Sequence, residues 1–69
     1  MARREKMRYE VEEGRGGIYG VLRRLEDGFE VFFQGESWDG FLAEWEKLRT
    51  NWQRNVYASQ YDLIMEDPA

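Results

Sequence analysis

The sequence predicts a small α+β domain of order β-β-β-α-β, in which one amphipathic helix packs on one face of a four-stranded, mostly antiparallel sheet. Three observations predict it. Apolar and polar residues alternate over 7–12 and again on both sides of Glu26-Asp27-Gly28. From Trp38 to Trp52 the apolar residues fall instead at helical spacing. Alternation then returns over 57–65.

The first strand rests on Met7, Tyr9 and Val11 alternating with Arg8, Glu10 and Glu12, and Gly14-Arg15-Gly16-Gly17 ends it. Ile18 to Leu25 and Phe29 to Gln34 form a hairpin, for which Asp-Gly is a strong turn signal. A two-residue loop would oppose Leu25 to Glu30, Arg24 to Val31 and Arg23 to Phe32, a polar group against an apolar one each time. A three-residue loop, with Gly28 left-handed, opposes Leu25 to Phe29, Arg24 to Glu30, Leu22 to Phe32 and Val21 to Phe33, and is the expected register. The core face then carries Tyr19, Val21, Leu25, Phe29, Val31 and Phe33, with Arg23 a misfit. Ile18, Leu22 and Phe32 fall on the face without a helix.

Ser37 is the expected N-cap of the helix, and Asp39 suits its first turn. Trp38, Phe41, Leu42, Trp45, Leu48 and Trp52 make one apolar stripe. The helix ends near Asn51 or runs on to Val56, with Asn51 and Asn55 as candidate left-handed terminators. A last strand over about 57–65 returns beside the first. The boundaries are a flexible basic arm at 1–6, one domain at 7–66 and a tail at 67–69.

The chain has 69 residues and neither Cys nor His, so disulfides, thiolate ligands and the commonest metal ligand are absent. A single core of this size leaves about 3–5 kcal/mol of net stability, which makes a partner subunit, including a homodimer, a plausible support. No apolar run is long enough for a signal core or a membrane span, so the expected setting is cytoplasmic, with no membrane contact. The net charge is −4, with +3 in residues 1–8 and therefore −7 in the rest. An acidic body argues against direct duplex binding and suits a partner with a basic surface.

No motif carries enzyme chemistry. GRGGIYG lacks the Lys-Ser/Thr ending of a phosphate loop and precedes a strand. The carboxylates show no calcium-loop spacing. No catalytic residue, cofactor or metal is expected. The expected function is that of a non-catalytic, acidic protein-binding module acting on a larger protein. Its contact residues would be Ile18, Leu22 and Phe32 on the open sheet face, Asp39, Glu44 and Glu46 on the helix, and Trp52 as an aromatic anchor. The alternative is a single-stranded nucleic-acid binder that uses the open face with Arg3, Arg4 and Arg15.

In size, charge and layout the chain resembles small phage-encoded inhibitors of host enzymes, anti-CRISPR-type proteins among them, and some antitoxin and immunity domains. No residue role carries over. The likeness implies an inhibitor of a nucleic-acid-handling enzyme, whose basic channel the carboxylates would occupy.

Overall fold

The computed structural model describes residues 5–68. It is an α+β domain with a three-stranded antiparallel sheet in the order β1-β2-β3, formed by β1 (Tyr9–Glu13), β2 (Tyr19–Arg24) and β3 (Glu30–Gln34). Two helices follow, α1 (Glu36–Lys47) and α2 (Asn51–Ser59), and 3₁₀ turns occupy Arg15–Gly17 and Asp62–Ile64.

The expected fourth strand and single helix are overturned. Leu48 leaves α1 in an extended conformation, and Thr50 starts a second helix with a capping box. The Gln53 amide donates to Thr50 Oγ1 at 3.0 Å, while Gln53 Oε1 accepts from the Thr50 and Arg49 amides at 3.2 and 2.9 Å. The alternation seen from Tyr57 onward is also a helical pattern. Tyr57 and Tyr61 are four apart, and both rings pack against Phe41 at 5.6 and 5.7 Å. What remains of strand pairing is one antiparallel bridge, Glu30 with Glu66, on β3 and not beside β1.

Two expected caps also fail. Gly35, at φ 60°, precedes α1, and Ser37 makes no cap. Asn51 and Asn55 lie inside α2, and among the described residues every positive φ belongs to a glycine. Buried Asn55 instead accepts from the Arg8 amide at 2.9 Å and donates to the Lys6 carbonyl at 2.7 Å. Asn51 donates to the Glu5 carbonyl at 2.9 Å, so α2 holds the chain just before β1.

The hairpin register is one residue away from the expected one: Arg23 opposes Glu30, Leu22 opposes Val31 and Val21 opposes Phe32. Leu25 to Gly28 make a four-residue loop closed by the Arg24 amide to the Phe29 carbonyl and the Gly28 amide to the Arg24 carbonyl, both at 2.8 Å. Gly28 is left-handed at φ 80°, as expected. Asp27 fixes the longer loop. Its carboxylate accepts from the Phe29 amide at 3.1 Å and from the Arg24 guanidinium at 3.0 and 2.7 Å. These contacts, Arg24 first, hold the Asp27 carboxyl below its usual range.

A one-residue slip turns one strand over relative to the other. Leu22 therefore joins the core at 0% exposure, and Val21 goes to the open side. The core is Leu22, Phe33, Trp38, Phe41, Trp45, Tyr9, Ala58 and Met65. Its aromatic spine runs from Phe33 to Phe41 at 4.6 Å between centroids and on to Trp45 at 5.5 Å. Gly20 makes room for Trp38, since a Cβ there would lie 2.2 Å from the indole. The indole N–H donates to the Gly17 carbonyl at 3.1 Å.

Candidate functional site

Strand register fixes which side chains share the uncovered face of the sheet. Three rows cross it from β1 to β3: Glu10–Arg23–Glu30, Glu12–Val21–Phe32 and Gly14–Tyr19–Gln34. The opposite face carries Leu22 and Phe33 and receives α1.

The first row is an ion cluster. Arg23 reaches Glu10 at 2.7 Å, Glu12 at 2.9 Å and Glu30 at 3.1 Å. Its pKa is raised by hydrogen bonds to those carboxylates, Glu10 first, so it stays charged. One guanidinium against three carboxylates leaves this end of the face acidic. The other end is aromatic. The Tyr19 and Phe32 rings stand 5.6 Å apart, and Tyr19 lies over Gly14, where a Cβ would meet the ring. Phe32 is 55% exposed, and Ile18, in the bend just before β2, is 70% exposed.

The structure scatters the residues singled out from the sequence. Ile18 and Phe32 are exposed, Phe32 on the open face. Leu22 is a correction: it lies at the centre of the core, because the longer hairpin loop rotates its strand. Asp39, Glu44 and Glu46 are exposed on α1, in the other layer of the domain, and Glu44 pairs with Lys47 at 3.4 Å. They do not join the open face. Trp52 sits on α2 and is 61% exposed, near Val56 one turn on. The helix break after Lys47 takes it off the stripe that buries Trp38 and Trp45. Arg15 is exposed in the first 3₁₀ turn, while Arg3 and Arg4 lie outside the described residues.

Sequence reasoning missed Tyr19, Val21 and Arg23 as open-face residues. The signal was present, since Arg23 stood out as a charge on an assumed core face.

A concavity of about 690 Å³ near Arg8, Tyr9, Arg24 and Asp62 is satisfied internally. Asp62 accepts from the Tyr9 hydroxyl at 2.7 Å and pairs with Arg24 at 3.2 Å. Burial, aided by Asp62, pushes the Tyr9 hydroxyl up to about 12. Among the described residues no group of His, Cys, Asp or Glu is arranged to hold a metal, and no helix is long and apolar enough to cross a membrane. Comparison with protein families, with curated proteins and with solved structures finds no match.

Proposed function

We propose that this chain is a non-catalytic protein-binding module that docks through the open face of its sheet onto a basic surface of a larger protein. The observation that carries this reading is the composition of that face, an apolar strip of Tyr19, Val21 and Phe32 beside three carboxylates that share a single arginine. An apolar centre excludes water, while the charged end selects the sign of the partner. Grooves that hold nucleic acid are basic. A module that occupies such a groove would act as an inhibitor of a nucleic-acid-handling enzyme.

The fold weakens one support for that assignment, because the layout behind the likeness to phage-encoded inhibitors included a returning strand that is not found among the described residues. The face itself carries the proposal. The nucleic-acid alternative gains from a second aromatic, Tyr19, beside Phe32. It loses from the carboxylates, which already engage the guanidinium on that face.

Val21→Ser with Phe32→Ser tests the docking reading by affinity capture from the native host. The double variant is expected to stay folded by circular dichroism and to lose the basic proteins that the parent retains. Retention of the same proteins by the folded variant would remove the open face as the site. Salt-sensitive, submicromolar binding of a single-stranded probe in a mobility-shift assay would replace the protein partner with nucleic acid.

A further inference from the structure

The two edges of the sheet differ in a way that the docking reading does not use. Tyr9, Val11 and Glu13 turn their backbone groups away from β2. That edge is guarded: Tyr9 is buried, and three of the five residues of β1 are glutamates. On β3 the outward residues are Glu30, Phe32 and Gln34. Glu30 exchanges both backbone bonds with Glu66 at 2.9 Å each. A continuing strand would bring residue 64 opposite Phe32, but the 3₁₀ turn at Asp62–Ile64 diverts it. Phe32 and Gln34 therefore keep outward backbone groups with no partner among the described residues. Val31-Phe32-Phe33-Gln34 carries no charge. A groove of about 470 Å³ lies alongside, lined by Phe32 and Ile64, the latter 58% exposed, and also by Glu30, Glu66 and Asp67.

Natural sheets protect free edges with charge, bulges or cover, and an uncharged edge rich in strand formers pairs with another strand. We infer that a second copy of this chain adds along β3, antiparallel, about a two-fold axis at Phe33. Phe32 of each copy exchanges both backbone bonds with Gln34 of the other, and the Glu66 bridge stops the pairing one step further on. Charge selects this edge. The same operation on β1, centred on Val11, would set Glu10 against Glu12 of the second copy, a destabilising like-charge pair. On β3 the residues that meet across the axis, Val31 to Gly35, are uncharged, and the like-charged Glu30 and Glu36 lie beyond them, where the Glu66 bridge has already ended the pairing. The product is a six-stranded sheet whose open faces are continuous. By strand spacing each face covers about 300 Å², less than half of the roughly 800 Å² that a standard interface buries on each partner. Two faces in one plane come closer to that area. The edge pairing does not depend on what docks there.

Sedimentation equilibrium of synthetic chains up to millimolar concentration tests the pairing. The parent is expected to approach twice its monomer mass. N-methylation of the Gln34 amide points a methyl group outward without touching the β2–β3 ladder, and should leave a folded monomer. N-methylation of the Val11 amide alters the other edge in the same manner and should dimerise like the parent. A parent that stays monomeric overturns the inference. So does a dimer that survives methylation at Gln34, or one that is lost through methylation at Val11. The Val21→Ser, Phe32→Ser variant keeps these backbone groups, so failure of docking and failure of dimerisation read out separately.

Discussion

On the covered face of the sheet the middle row is Val11, Leu22 and Val31, and on the open face it is Glu12, Val21 and Phe32. Each face has apolar groups at its centre and an arginine on β2, Arg24 on one side and Arg23 on the other. Both arginines are neutralised by carboxylates. The open face also carries Glu10, Glu12 and Glu30, and the two faces differ in shape as well. Gly20 leaves a hollow on the covered face that the Trp38 indole fills, at 0% exposure. On the open face the equivalent space over Gly14 is filled by Tyr19 from the adjacent strand, so no hollow is left for a helix. The covered face is thus favoured both by its apolar content and by its seat for a large side chain.

The largest expected break between the faces comes from adjacent phenylalanines. Phe33→Ala should cost about 3–5 kcal/mol, the usual range for emptying a buried ring site, and so unfold the domain. Phe32→Ala should cost less than about 1 kcal/mol, as at an exposed site. Urea denaturation of the two variants checks this, and equal losses would mean that the faces are wrongly assigned.

A smaller effect isolates the role of shape. Gly20→Ala drives a methyl group into an indole enclosed on all sides and should cost about 1–3 kcal/mol by overpacking. Gly14→Ala makes an equally close approach, at 2.1 Å, but to a ring that can swing into solvent. Its cost should be well below that of Gly20→Ala in the same assay.

How much of this was legible in the sequence follows from the range of each determinant. β1, the hairpin and the start of the helical stripe were readable, because period-2 and period-3.6 patterns are local. The register was not. It hangs on Asp27 folding back onto Arg24 and the Phe29 amide, which favours a loop one residue longer than pairing of side chains suggests. That slip moved Leu22 from candidate site to core. The second helix was legible in part, since Thr50 and Gln53 stand at capping-box spacing. Alternation at Tyr57, Ser59 and Tyr61 masked it, because the same residues satisfy both periods. The open face could be composed correctly only once the register was known.

The smallest expected effect concerns the far end of the covered face. Burial and Asp62 raise the Tyr9 hydroxyl from 10.0 to about 12. A raised pKa stabilises the fold fully below the unfolded value and is lost as pH rises through the folded one. Stability should therefore fall between about pH 10 and 12. Tyr9→Phe should flatten this part of the alkaline profile, as followed by circular dichroism. An unchanged alkaline profile would assign the transition to other groups, of which Tyr57, also raised by burial, is the first to test.

The clamp of Asn51 and Asn55 on Glu5, Lys6 and Arg8 has a consequence for synthesis on the ribosome. These bonds join residues 46 to 49 positions apart. A nascent chain emerges N-terminus first, and its β2–β3 hairpin can zip as soon as it clears the exit tunnel, since every contact in it is local. The approach to β1 must wait until most of the chain has been made. During that interval the acidic first strand and the third strand, uncharged from Val31 to Gln34, bound an unfinished sheet, and that uncharged stretch is the part most exposed to a neighbouring nascent chain on the same message.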